Sequence, residues 1–244
     1  MVCASMHLYT KIKAMKHILT IFFCLITAAA TVAQTKIKAS DIIRQINEGR
    51  AVEYSNIEIE GDLDLTDLKN RRIEHSSRFN DDNATYESTV EVPVNFTNCT
   101  FLGNVLAYYN IERSNETYVA HFEKDMVFRN CIFNKASEFK YSEFNGVASF
   151  AGCTFDEEAN FKYAEFSSGP LFSNAKFESG ANFKYTEFPR GTSFEKATFR
   201  DMANFKYSKF RSPLNMDGVA FKGSEDFKYT QIDGRDFTSH LLDR

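Results

Sequence analysis

The chain has 244 residues, a formal net charge of −4 and no tryptophan, but 25 phenylalanines and 11 tyrosines. That length needs no more than one solenoid domain. The mild acidity excludes nucleic-acid binding through a basic phosphate-contacting surface, since the longest basic run after residue 33 is the pair Arg71 and Arg72.

Lys11, Lys13 and Lys16 precede an apolar run from Ile18 to Ala33 that ends in Ala28, Ala29, Ala30 and Ala33. This predicts a secretory signal peptide over residues 1–33, with Met15 as a plausible start and Gln34 as the first mature residue. The run falls short of the ~20 residues a spanning helix needs, so no stable membrane span is expected once it is cleaved. Cleavage removes three lysines and no acid, taking the charge from −4 to −7. The protein is therefore expected to be exported and to be periplasmic, envelope-associated or secreted.

Residues 34–50 read as an N-terminal cap. Ser40-Asp41-Ile42-Ile43-Arg44-Gln45-Ile46 followed by Gly49 predicts a short amphipathic helix with Ser40 as its N-cap. Such a plug is needed where a stack would otherwise expose apolar interior and unpaired strand edge.

From about 51 to 238 a different rhythm rules. Phenylalanine recurs at alternating intervals of five and six from Phe128 through Phe210, a period that neither a helix nor a simple strand produces. The motif Phe-Lys-Tyr-X-X-Phe returns every twenty-two residues, opening at Phe139, Phe161, Phe183 and Phe205, with a variant at Phe227. One coil is thus twenty-two residues, made of this half and a second half opening at Phe128, Phe150, Phe172, Phe194 and Met216. Alanines two before many phenylalanines, such as Ala148, Ala159, Ala181 and Ala203, are expected to share the inward face of extended segments.

The triplets Ala159-Asn160-Phe161, Ala181-Asn182-Phe183 and Ala203-Asn204-Phe205 resemble the pentapeptide-repeat family, whose units read Ala-(Asp/Asn)-(Leu/Phe)-X-X. The resemblance covers about 119–237 clearly and, through Gly61 to Leu68, reaches back more weakly to about 51. It implies an all-β fold, a right-handed quadrilateral parallel β-helix with four short sides per coil. The six-residue spacing of alternate units departs from the family pattern. A three-sided β-helix fits less well, because its unequal sides would not give four evenly placed inward residues.

Stacked coils turn equivalent residues into columns. The outer columns Lys140, Lys162, Lys184, Lys206, Lys228 and Tyr141, Tyr163, Tyr185, Tyr207, Tyr229 form the candidate binding face, with Asn160, Asn182 and Asn204 beside them able to form an amide ladder. Glu143, Glu165 and Glu187 read as a solvated stripe, not as an acid/base pair in a cleft. Two insertions, near 70–88 and 104–118, interrupt the Phe-Lys-Tyr half of successive coils and are expected to project side by side. Loops on a rigid scaffold commonly carry binding residues. The loop patch they offer comprises Arg71, Arg72, Asp81, Asp82, Tyr108, Tyr109, Glu112 and Arg113.

Cys99, Cys131 and Cys153 share one slot, two before Phe101, Phe133 and Phe155, and suit small buried thiols better than a disulfide or metal site. His75, His121 and His240 share no metal-ligand spacing, and neither a phosphate-cradling glycine loop nor a nucleophile elbow occurs. No catalytic residue, metal or cofactor is therefore expected. The tail 239–244 is polar, and the C-terminal end from Asp236 can cap the stack or pair it into a homodimer. These features point to a non-enzymatic exported structural or interaction module with a protein or glycan partner. The alternatives are a carbohydrate-binding Tyr/Lys surface and, less well matched because of the lysines, a DNA mimic that protects gyrase.

Overall fold

The computed structural model describes residues 35–74, 84–111 and 113–237; the leader 1–33 and His75, Asp81, Asp82, Glu112 and His240 lie outside them. Strand β1 (Thr35–Lys38) opens the stack and pairs in parallel with β3 (Ile57–Glu60), Thr35 opposite Ile57, which closes one coil in twenty-two residues. Between them lie helix α1 (Ala39–Asn47) and β2 (Val52–Ser55). Ala39, Ile42 and Ile46 repeat on one side of α1 and are buried against the core of the first coils, including Leu63, Leu65 and Leu68.

The helix begins one residue before the Ser40 cap expected from sequence. Lys38 is the N-cap, extended at φ −85° and ψ 139°, and makes no side-chain capping bond. The reason is that β1 runs straight into the helix, and the β1–β3 ladder, with Lys38 opposite Glu60, fixes the extended residue that a cap requires. At the other end Gly49 takes φ +70°, its N–H donates to the Ile46 carbonyl, and the Arg50 N–H donates to Gln45. That paired closure is the Schellman arrangement, which favours glycine at this position.

Four sheets make the walls, almost every rung parallel and one coil apart. Face I carries β2, β7 (Val94–Thr97), Met126–Arg129 and Ala148–Ser149, and continues as isolated bridges through Leu171, Ser193 and Asn215. Face II runs from β1 and β3 through β8 (Thr100–Phe101) to Ala220–Phe221. Face III runs from β4 (Leu63–Asp64) through β9 (Val105–Leu106) to Glu225–Asp226, and face IV ends at the C-terminal hairpin of Gln231–Ile232 with Arg235–Asp236. The family-like triplets therefore fold as face III, Asn160 opposite Asn182 and Asn182 opposite Asn204.

Inside, phenylalanines stack in four files. On face IV, for example, Phe122, Phe144, Phe166, Phe188 and Phe210 follow one another at 4.6–6.1 Å with planes within 14°. Rings of different files meet edge to face, as Phe183 does with Phe194 at 5.5 Å and 84°. This combination of offset stacks and T-contacts is the favoured geometry for aromatic quadrupoles. Alanines fill the narrower inward positions, all buried. At the bottom the chain doubles back so that Phe237 lies on Phe227 at 4.8 Å and 7°, extending that phenylalanine file by one ring.

Corners take a left-handed residue two positions after the inward phenylalanine. Between faces I and II this residue is Asn98, Asn130, Gly152, Asn174, Lys196 or Gly218, mostly types that tolerate φ > 0. Between faces III and IV it is Tyr141, Tyr163, Tyr185, Tyr207 and Tyr229, at φ 59–63°. A non-glycine residue there costs about 1–2 kcal/mol, so five tyrosines are held against local backbone preference.

The two insertions are β-hairpins, not loops. β5 (Arg72–Glu74) returns antiparallel to β6 (Ala84–Val90), and β10 (Tyr108–Ile111) to β11 (Glu116–Phe122). β6 and β11 pair in parallel over seven residues, Ala84 opposite Glu116 and Val90 opposite Phe122, which sets the hairpins side by side and continues face IV past its corner. β9 and Ala107, inside the segment expected to be inserted, belong to the wall: Val105 faces Ser137 and Ala107 is fully buried.

Phe183→Ala should destabilise the fold by about 3–5 kcal/mol in denaturant melts, the range for truncating a buried aromatic, whereas Tyr185→Asn should cost under about 1.5 kcal/mol, because asparagine relieves the left-handed strain while the ring stack is lost. Equal losses would contradict the assigned inward register. Deleting 109–118 restores the Ala107–Phe122 interval to that between Phe139 and Phe144, and circular dichroism should show a folded stack. The Ser142 hydroxyl is buried without a hydrogen-bond partner, while Thr186, Ser208 and Thr230 in the same slot each donate to a phenylalanine carbonyl. Ser142→Ala should accordingly raise stability by up to about 1 kcal/mol; a lower melting midpoint would reveal a hidden partner.

Candidate binding ridge and groove

The corner tyrosines form a continuous ridge. Ring centroids lie 5.0 Å apart for Tyr141–Tyr163, 4.6 Å for Tyr163–Tyr185, 4.8 Å for Tyr185–Tyr207 and 4.8 Å for Tyr207–Tyr229, with planes within 20°. Tyr108 tilts onto its upper end, 5.8 Å from Tyr141. Each inner ring thus has both faces taken by its neighbours, leaving edges and hydroxyls for solvent. Only at the lower end does Tyr229, 54% exposed, keep a free face. Burial, followed by the neighbouring Tyr185 and Tyr141, holds the Tyr163 phenol above the usual tyrosine range.

On the face III side of the ridge runs a cationic lane. The ammoniums of Lys140, Lys162, Lys184, Lys206 and Lys228 lie 4.7–5.5 Å from the centroids of their own tyrosine rings, beside the stack, and Lys140 donates to the Tyr108 hydroxyl at 2.9 Å. Burial, then repulsion from Lys140 and Lys184, pushes Lys162 below the ordinary lysine value. Asn160, Asn182 and Asn204 do not form the expected amide-to-amide ladder here. Their side-chain oxygens accept the backbone N–H of Lys162, Lys184 and Lys206 at 3.1–3.2 Å, and Asn160 donates to Glu138. An amide ladder does exist at the opposite corner, where Asn130 donates to Asn98 and Asn98 to Asn56.

On the face IV side lies an acidic groove of about 850 Å³, floored by Tyr141 to Tyr207 with Glu143, Glu165 and Glu187, and walled by hairpin residues including Glu74, Glu87, Asn110, Thr117 and His121. His121 Nδ1 accepts the Glu143 N–H at 3.2 Å, which leaves the Nε2 proton facing Glu87 at 3.5 Å. Arg72 approaches the same carboxylate at 3.7 Å. Burial, then a shared hydrogen bond with Glu74, raises Glu87 above the usual carboxylate range. Lys209 closes the groove on Glu187 at 2.6 Å, whereas Glu165 in mid-groove has no ion-pair partner among the described residues.

The patch expected from the insertions divides among different surfaces. Tyr108 joins the ridge and Arg72 the groove. On the hairpin sheet, Tyr118 stacks between Tyr86 at 4.7 Å and Tyr109 at 4.4 Å; Arg71 lies over Tyr118 at 5.5 Å and pairs with Asp67 at 2.9 Å. Arg113 is exposed in the hairpin turn, and Asp81, Asp82 and Glu112 lie outside the described residues. The reading from sequence missed Tyr86, Tyr118 and Glu87 and treated His121 as isolated. A usable signal was present: Thr85-Tyr86 and Thr117-Tyr118 recur at the same thirty-two-residue spacing as Phe96 and Phe128.

Cys99, Cys131 and Cys153 are free and buried in one file. The Cys153 thiol against it pushes Cys131 up to about 12, and Cys131 in turn raises Cys99, so both stay neutral thiols. Among the described residues no helix is long and apolar enough to cross a membrane.

No curated protein and no solved structure is similar to the chain. A family model of pentapeptide repeats, in nine copies, matches residues 120–165 and 161–209. The matched coils carry Tyr141 to Tyr207 of the ridge, and the match together with the parallel four-sided ladder identifies the coils over 120–209 as pentapeptide repeats.

Proposed function

We propose that this protein is a non-enzymatic interaction module exported to the cell envelope or beyond it, and that it holds its partner in the groove between the hairpins and the tyrosine ridge. The observation that carries this reading is the pair of hairpins. A bare stack of coils presents flat faces, and here two successive coils each extend a strand into the same projecting sheet, which turns one flat face into a concave one. Concave sites that combine apolar floor with a few placed polar groups are where ligands are usually held. Pentapeptide-repeat proteins generally serve as structural or interaction proteins, which agrees with a site built from columns of one residue type. Export rests on the leader at 1–33, and β1 begins at Thr35, so cleavage before Gln34 would leave the cap intact.

Two measurements test this. N-terminal sequencing with cell fractionation should find Gln34 as the first residue in a non-cytosolic fraction; an intact start at Met1 or Met15 in the cytosol would overturn export. A benzophenone side chain at Thr117 in the groove wall should crosslink in cells to a discrete species, and the same group at exposed Lys176 on face II should not. Identical patterns at both positions, or none at Thr117, would remove the groove as the site.

A further inference from the structure

The groove leaves the other lane of the ridge without a role. Lys36, Lys135, Lys196 and Lys209 each pair with a glutamate within 3.0 Å, whereas other described lysines, such as Lys38 and Lys176, stand alone on the surface. Lys140, Lys162, Lys184, Lys206 and Lys228 make no ion pair among the described residues, although the chain as a whole carries net negative charge. The nearest acids in the lane stand at its ends. Glu138 is largely buried, raised in pKa by that burial and bonded to Asn160, while Asp226 accepts the Lys228 N–H. Glu158 lies one coil further on, beside Asn160, and raises Glu138 further; in the next two coils its column holds Gly180 and Met202, so the lane is most purely cationic over Lys184 and Lys206.

We propose that this lane binds a linear anionic polysaccharide carrying one carboxylate per sugar ring, laid along the stack axis, its carboxylates on the lysine ammoniums and its hydroxyls on tyrosine Oη and on Asn182 and Asn204 Nδ2. This proposal does not rest on the groove. Three arguments select the ligand. Spacing is the first: ammoniums repeat once per coil, at about 4.8 Å, so the five span roughly 19 Å. A linear polyanion laid along the axis can follow so straight a file of cations, and a uronate chain brings sugar hydroxyls beside its carboxylates, which an acidic peptide lacks.

The second is preorganisation. Each ammonium already rests beside the tyrosine stack, 5.0–5.5 Å from a ring centroid at Lys162, Lys184 and Lys206, which reduces the side-chain entropy lost on binding an anion. The third concerns what the tyrosines can offer. Sugar stacking on ring faces is closed to the inner rungs by the 4.6–5.0 Å ring spacing, so recognition must use ring edges, hydroxyls and the charges beside them. Repulsion already lowers Lys162, and a bound carboxylate relieves it.

Affinity electrophoresis of the full-length chain through gels containing sodium polygalacturonate tests the proposal, with dextran, polyglutamate and oligo-dT gels for comparison. Retardation should appear with polygalacturonate only and weaken at high salt. Lys162→Gln/Lys184→Gln/Lys206→Gln should reduce it about tenfold, the effect of three exposed ion pairs, and the matching triple arginine variant should retain it. Lys135→Gln/Lys196→Gln, away from both lane and groove, should bind as wild type; a loss there as large as in the lane variant would show that overall charge alone is read and would overturn the lane. Should the triple glutamine variant melt early by circular dichroism, Asn182→Asp/Asn204→Asp places like charge in the lane without touching a lysine and should weaken binding as strongly. Undiminished retardation in either variant, or equal retardation by polyglutamate, oligo-dT or dextran, refutes the proposal.

Discussion

A parallel backbone ladder repeated at twenty-two-residue intervals holds each residue about 4.8 Å above its equivalent in the coil before. Every other property follows from that enforced coincidence. Like stands on like, so a residue type is selected for how it stacks on itself. Phenylalanine succeeds inside because flat rings at 4.6–6.1 Å fill a file and meet neighbouring files edge to face. Charged residues in register succeed outside only if something compensates their repulsion. The lysines rest beside the tyrosine stack, and on face IV Lys209 follows Glu187 and pairs with it, while the glutamates above stand in register facing solvent.

The same constraint explains why strain concentrates at one corner. All coils must turn with a left-handed residue, and the corner between faces I and II uses asparagine, glycine or lysine for it. At the other corner five tyrosines accept the unfavourable φ because the ladder brings their rings into mutual contact. Local preference is overruled by a contact that exists only when coils are stacked. The resulting ridge separates two lanes of opposite charge, an arrangement that a globular surface of mixed composition seldom sustains over such a length.

Interruptions obey the ladder as well. The hairpins enter at equivalent points of consecutive coils, and because β6 and β11 remain in register for seven residues they extend face IV without breaking it. Both ends are closed by departures from the repeat: α1 seals the first coil with Ala39, Ile42 and Ile46, and Phe237 returns to add a ring to a phenylalanine file. A quasi-one-dimensional stack depends on such ends, since each coil is stabilised mainly by the two beside it.

The period of Phe128 to Phe210 and the Ala-Asn-Phe triplets already determined a four-sided stack, its inward residues and its outer columns, because a ladder of fixed step maps sequence spacing directly onto spatial neighbours. That mapping fails wherever the step is broken or where geometry depends on side-chain direction. Ser40 lost the cap position to Lys38 because pairing in the following coil fixed the backbone there. Asn160, Asn182 and Asn204 turned to the backbone N–H of the next lysines, a choice made by the corner's turn and not by their spacing. Arg71 and Arg72, adjacent in sequence, parted to the ring of Tyr118 and the carboxylate of Glu87 because Arg71 closes the turn on Leu68 and Arg72 opens strand β5. The groove itself, with Glu87 and His121 meeting across β6 and β11, exists only through pairing between segments thirty-two residues apart, and the tertiary structure alone decides it.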